Sequence, residues 1–281
     1  MKIRKLDTDK LPLVNDGQLS LFFIGVGSAF SKKHYQTNVL FIKGEDHLLI
    51  DCGTKCPQAL YELGLSVTDI SNFLITHSHA DHIGGLEEVM LMGRYFRRQK
   101  PSIIINHIYQ QLLWDMSLRG GAAYNEEKEG AVLSFSDMWN IIRPTWLEYY
   151  PRETFETQLG SINIKIFRTK HIPDFPASWH NSFWSCGLVV DERILYTSDT
   201  RFDRDLIEDF NEKFDLEVIF HDCQFFTGGV HAGIDEIRTL PDDIKSKIVL
   251  MHYGDNWADF EERVKDYGFL GLAKQWHFYD F

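Results

Sequence analysis

The sequence predicts an α/β fold, an αββα sandwich in which two mixed β-sheets lie face to face with helices on their outer sides, formed by residues 1–281 as one domain. Three observations carry this expectation. Short runs of β-branched and aromatic residues alternate with helical spacings in two successive strand-rich halves, an order that layered sheets with outer helices satisfy simply. A chain of 281 residues, 44% apolar and 25% charged, can bury a large core, and it shows no repeat, low-complexity tract or linker. Finally, histidines and aspartates recur where predicted strands end, the place where a rigid sheet edge presents side chains to a cleft.

Residues 19–25 (LSLFFIG) and 37–43 (TNVLFIK) are β-rich runs joined by a glycine-containing loop over 26–36. A third strand, 47–51 (HLLID), stops at the turn pair Cys52-Gly53. Helical spacing over 57–63 ends at Gly64. Residues 71–76 (SNFLIT) form a short buried strand that runs directly into His77, followed by a helix over 83–92 and a strand over 103–105. From 107 to 143 the pattern is mostly helical, interrupted by a loop over 120–130, with Trp114, Leu118, Met138 and Trp139 as packing anchors. Strands return at 145–149, 162–169, 185–190 and 194–197. They are followed by a helix over 206–211, a strand over 218–221, a helix over 233–239, a strand over 248–252 and a helix over 257–267.

Composition excludes several functions. The chain carries 29 basic and 41 acidic residues, a net charge of −12, which disfavours a polyelectrolyte-binding surface. No run of about 18 apolar residues occurs, so no membrane-spanning helix is expected. Residues 1–20 hold Lys2, Arg4, Lys5 and Lys10 but no apolar stretch of signal-peptide length. Cys52, Cys56, Cys186 and Cys223 are scattered without a CxxC pair, as reduced thiols of a cytoplasmic protein would be.

The segment Thr76-His77-Ser78-His79-Ala80-Asp81-His82 brings three imidazoles and a carboxylate together at a predicted strand end. His77 and His79, two apart in extended chain, point the same way and can share one metal, while Asp81 and His82, on the turn into a helix, can reach a second. Imidazole and carboxylate donors suit zinc, with manganese or iron as alternatives. His171, Asp199 and His252 each close a later predicted strand, and together with HxHxDH they complete a dinuclear set.

This pattern resembles the metallo-β-lactamase fold, with LFFIGVGSAF similar to its first strand and loop, LLIDCG to the strand and turn before the first helix, and YTSDT to its bridging-aspartate motif. The resemblance implies that His77, His79 and His171 hold one metal and Asp81, His82 and His252 the other. Asp199 and a hydroxide would lie between them, with Asp81 also serving the catalytic machinery. Within the fold, residues 220–232 (FHDCQFFTGGVHA) resemble the phosphodiesterase branch around ribonuclease Z, where an acidic residue orients a further histidine close to the scissile phosphate. Asp222 and His231 match those positions, and His231 precedes His252 by 21 residues as in that pattern.

The long tRNA-binding insertion of ribonuclease Z has no counterpart, because only 28 positions separate His171 from Asp199. A small nucleotide therefore fits better than RNA, and the chain resembles compact cyclic-nucleotide phosphodiesterases, among them the phage-encoded anti-Pycsar enzymes that destroy cyclic mononucleotide signals. That resemblance implies a homodimer that hydrolyses a 3′,5′-cyclic nucleotide by attack of a metal-bridging hydroxide. A ribonuclease Z-like activity on RNA is the alternative, followed by a thioester or lactone hydrolase or a non-catalytic metal-binding protein. Phe175, Trp179, His180, Phe183 and Trp184 crowd the segment after His171 and either stack on a nucleobase or pack the loop or a dimer interface. Trp179, His180 and Trp184 are the expected substrate contacts, with Lys33, after the first strand, reaching for a phosphate.

Overall fold

The computed structural model describes residues 1–124, 126–173 and 178–281; Phe175 lies outside the described residues. One eight-stranded sheet runs, edge to edge, Lys2–Lys5, His277–Asp280, Ser20–Gly25, Asn38–Lys43, Asp46–Ile50, Asn72–Leu74, Ser102–Ile104 and Asn140–Ile142. The other runs Thr145–Leu147, Thr154–Leu159, Ile162–Arg168, Cys186–Val190, Ile194–Tyr196, Val218–Asp222, Ile248–Met251 and Gly271–Leu272. Both sheets follow the same plan, antiparallel through Asp46–Ile50 and Ile194–Tyr196 respectively and parallel beyond.

Side-chain parity builds the layers. Ser20–Gly25 is buried along its whole length, and Leu21 and Phe23 enter the core between the sheets while Phe22 and Ile24 pack with the outer helices. Asn38–Lys43 divides the same way, Val39 and Phe41 inward, Leu40 and Ile42 outward. A strand covered on both faces reads as an unbroken apolar run, which is why these two were legible as strands. The outward residues meet helices Cys56–Glu62, Leu86–Met92 and His107–Leu113. On the far side, helix Arg204–Lys213 covers the second sheet with Leu206, Ile207 and Phe210.

Several expectations give way to finer structure. The helix expected over 83–92 divides into Ala80–Ile83 and Leu86–Met92 at Gly84-Gly85, where any Cβ would run into Thr54 or Cys52. The helical stretch after 107 holds His107–Leu113, continues through a wider π turn at Trp114–Leu118 and a turn at Arg119–Ala122, and ends in a small hairpin, Glu127–Lys128 with Ala131–Val132. One helical turn, Phe135–Met138, then leads into the strand Asn140–Ile142. The four expected anchors, Trp114, Leu118, Met138 and Trp139, are all buried. The terminal strands Lys2–Lys5 and His277–Asp280 pair with each other, and Thr154–Leu159 adds a further strand; none was anticipated, because short, half-exposed polar runs lack the apolar density of a central strand.

The arrangement matters for function because parallel neighbours end on the same edge. The chain leaves Asp46–Ile50, Asn72–Leu74, Ile194–Tyr196, Val218–Asp222 and Ile248–Met251 from carboxyl ends that line one crevice across the two sheets. Phe23 helps clamp the sheets together: its ring lies 5.1 Å from that of Phe220 in the second sheet, and 5.4 Å from that of Tyr279 in its own. Phe23→Ala is expected to destabilise the fold by about 3–5 kcal/mol, read as a lower denaturant midpoint with unchanged slope. An unchanged midpoint would show that the sheets do not depend on this contact.

Candidate metal centre

The HxHxDH segment is fixed by its neighbours before any ligand is considered. Cys52 N–H donates to the His82 carbonyl at 2.8 Å and Thr54 N–H to the Ala80 carbonyl at 3.1 Å, while Gly85 N–H returns a bond to the Cys52 carbonyl at 2.9 Å. Gly53 permits this approach, since a Cβ there would collide with the Asp81 carbonyl. Asp51, Ser198 and His252 all adopt left-handed backbone, with φ of 63°, 52° and 61°. Such strain, of order 1–3 kcal/mol per residue, turns the chain sharply at the ends of the strands that build the centre.

The predicted ligands converge into two groups that share one residue. His77 Nε2 lies 2.9 Å from His79 Nδ1, and His171 Nε2 lies 3.3 Å from the same atom. Asp199 Oδ2 is 3.7 Å from His77 Nε2 and 3.8 Å from His171 Nε2. On the other side, the same oxygen is 3.4 Å from His82 Nε2 and 3.2 Å from His252 Nε2. Asp81 Oδ2 lies 3.3 Å from His82 Nε2 and 3.8 Å from His252 Nε2. Within each group every donor atom is within 4.8 Å of the others.

These residues fit cations. Asp81 Oδ2, Asp199 Oδ2, His82 Nε2 and both ring nitrogens of His252 are buried without a hydrogen-bond partner among the described residues, an arrangement that is costly unless positive charge compensates it. Burial lowers the pKa of His77 and His79 and brings His171 down to about 4, so these rings are neutral and able to ligate. Burial alone would raise Asp81, but His82 and His252 outweigh it and hold that carboxylate ionised at about 2. At His82, burial is overcome by the carboxylates of Asp199, Asp81 and Asp51, which draw positive charge onto the ring, a demand that a divalent cation meets.

Asp51 was not singled out by sequence reasoning. Its buried carboxylate accepts from His82 Nδ1 at 2.7 Å and from Thr76 N–H and Thr76 Oγ1 at 2.8 Å each. It thereby fixes both the His82 ring and the residue before His77, as outer partners of metal-binding histidines do. The only signal was an acidic residue closing the apolar run HLLID.

Asp222 and His231 come together beside the two groups. His231 Nδ1 lies 2.8 Å from Asp222 Oδ2, which also accepts from Thr200 N–H at 2.9 Å. The His231 ring centroid is 5.2 Å from that of His171 and 5.0 Å from that of His252, so it stands between a ligand of each group. Burial would lower the pKa of His231, but Asp222 and Asp199 outweigh it and raise the ring to about 9.

A cavity of 330 Å³ opens next to His77, His79 and His171. Its carbon lining comes chiefly from Tyr109, Leu112, Met116, Phe183 and Trp184. Trp184 is thus brought to the cavity, where its ring stacks on Tyr109 at 5.7 Å with 13° between the planes. Trp179 and His180 are not among its lining residues; they stack on each other at 3.5 Å. Lys33 Nζ instead donates to the Asp255 carbonyl at 3.0 Å, beside a separate cavity. No helix among the described residues is long and apolar enough to cross a membrane.

Asp51→Asn is expected to weaken metal binding roughly 10–100-fold, measured by competition with a chromophoric chelator. Parental affinity in that variant would remove Asp51 from the support of the centre.

Comparison with known proteins places this geometry in a family. Residues 19–279 match the family model described as anti-Pycsar protein Apyc1. The anti-Pycsar protein Apyc1 of Bacillus phage BSP38 is 38% identical over 244 residues, covering 84% of this chain and 90% of that protein. Among solved structures, the metallo-β-lactamase fold protein YhfI from Bacillus subtilis superimposes with a TM-score of 0.64 at 15% identity, covering 94% of this chain and all of YhfI. Human tRNase Z, short form, gives a TM-score of 0.61 at 17% identity, covering 92% of this chain and 98% of that one. The two-sheet architecture is thus the metallo-β-lactamase fold, and the chain belongs to the anti-Pycsar protein Apyc1 family.

Proposed function

We propose that this chain is a two-zinc phosphodiesterase that opens a 3′,5′-cyclic nucleotide. The observation that carries the reading is the Asp222–His231 pair standing between the two ligand groups. Family membership supports a nucleotide-like substrate, and the His and Asp donor set supports zinc. His77, His79 and His171 would hold one ion, Asp81, His82 and His252 the other, with Asp199 shared. When bound, such a pair supplies Lewis acidity toward the phosphate oxygens and lowers the pKa of water.

The chain's own residues do the rest. Asp222 holds His231 by Nδ1 and favours its charged form, which leaves Nε2 to deliver a proton to the departing ribose oxygen. The carbon-lined cavity beside His77 and His79 offers a surface for the base, packed on Leu112, Met116 and Phe183, while Trp184 is held against Tyr109. An acidic chain of net charge −12 favours such a compact substrate over RNA. The same reading carries a homodimer located in the cytoplasm.

His231→Ala is expected to keep both metals and lose about 10²–10⁴-fold in kcat on cyclic nucleotides, measured by chromatography alongside elemental analysis. Metal loss would make His231 a ligand instead, and turnover of RNA but of no cyclic nucleotide would favour the ribonuclease alternative. The pH profile tests the proton's source. If His231 acts as the acid, kcat falls as pH rises through its pKa. Asp222→Asn removes the carboxylate that raises that pKa, so the fall should begin at lower pH than in the parent. An alkaline limb that does not move would assign it to another group.

A further inference from the structure

We propose that Arg201 is a positioning residue that sets His231 through the backbone of the loop that carries it; the inference rests on His231 as the proton donor described above. The loop leaves the strand Val218–Asp222 and is pinched at its base, where Gln224 N–H donates to the Ala232 carbonyl at 2.8 Å and Ile234 N–H to the Gln224 carbonyl at 2.9 Å. At its tip, Gly228 and Gly229 have φ of 93° and 85°, and among the described residues no atom outside its chain neighbours approaches within 4 Å of where a Gly228 Cβ would lie. Without side chains, two such glycines in succession have little steric reason to keep one conformation. The fixing comes from outside the loop tip.

Three successive carbonyls are each held by a side chain. The Gln224 amide donates to Gly228, Arg201 Nη1 to Gly229 at 2.7 Å, and His171 Nδ1 to Val230 at 2.9 Å. His231 follows immediately. Of the three donors, Arg201 alone brings a fixed positive charge, which makes its bond to a neutral carbonyl a strong one. Arg201 is itself seated, because its N–H donates to the Lys170 carbonyl at 2.6 Å.

Arg201 also follows directly on two residues that serve the same centre. Asp199 is shared by the two ligand groups, Thr200 N–H binds the Asp222 oxygen that holds His231, and Arg201 holds the loop. Three consecutive residues therefore tie the metal centre, the orienting carboxylate and the histidine's backbone to one another. Displacing a reacting group by about 1 Å can cost 10²-fold in rate, so loss of the Gly229 contact should appear in kcat rather than in substrate affinity.

The test is a double-mutant cycle of Arg201→Ala and His231→Ala on the metal-loaded enzyme, with amide hydrogen exchange of the loop over residues 224–234 as a readout that does not depend on turnover. Arg201→Ala should lower kcat by roughly 10–100-fold with KM unchanged. In the His231→Ala background it should cost nothing further, because both changes remove the same function. Exchange at Gln224 and Ile234, whose amides close the base of the loop, should accelerate with metal content unchanged, and Arg201→Lys should recover part of kcat because it keeps the charge without the planar fork. Equal losses in both backgrounds, a raised KM, lost metal or unaltered exchange would each overturn the proposal. Should the parent turn over no phosphodiester, the reading of the function fails, and faster loop exchange in Arg201→Ala would still support the clamp.

Discussion

A single carboxylate oxygen surrounded by imidazoles is the constraint on which the rest of the structure depends. Asp199 Oδ2 lies between 3.2 and 3.8 Å from ring nitrogens of His77, His82, His171, His231 and His252, in a position closed to solvent. Desolvating so many polar groups together is unfavourable without compensating charge, and they can be held there only by a rigid frame. Both sheets supply that frame. Their parallel strands end at one crevice, and the left-handed turns at Asp51, Ser198 and His252 bring the chain round at the strand ends. The apolar layers on either side of each sheet, from Phe22 and Phe23 outward, keep those ends in register.

How much was legible in the sequence follows from how local each feature is. The residues His77, His79, Asp81 and His82 fall within six positions, so their proximity is a property of the chain itself, and the central apolar strands announce themselves by composition. His171, Asp199 and His252 could be placed at strand ends, and the family resemblance supplied their grouping. Asp51 was hidden because its partnership with His82 and Thr76 depends on the parallel pairing of Asp46–Ile50 with Asn72–Leu74. Tyr109, Leu112 and Met116 reach the cavity only because the helical stretch after 107 leans over the first sheet's strand ends, and periodicity does not report that direction. Lys33 had an attractive position in a glycine-containing loop, but Asp255, 222 residues later, gathers that loop through Lys32 N–H, Lys33 N–H and Ser31 Oγ.

The acidity of the chain and the chemistry of its centre are complementary. A net charge of −12 repels a long polyanion, whereas two divalent cations would add a concentrated +4 where the proposed substrate's phosphate would bind. The neighbouring cavity presents mostly carbon, so its recognition would rest on packing rather than on base-edge hydrogen bonds. Charge at the crevice and carbon beside it are the two features that the proposed small nucleotide ester would use.

In the proposed centre the shared Asp199 separates two cations. Diffraction from crystals of the zinc-loaded protein, recorded on both sides of the zinc absorption edge, measures this directly. Two anomalous peaks are expected to flank Asp199, one among His77, His79 and His171 and the other among Asp81, His82 and His252. A single peak, or peaks away from these residues, would contradict this arrangement.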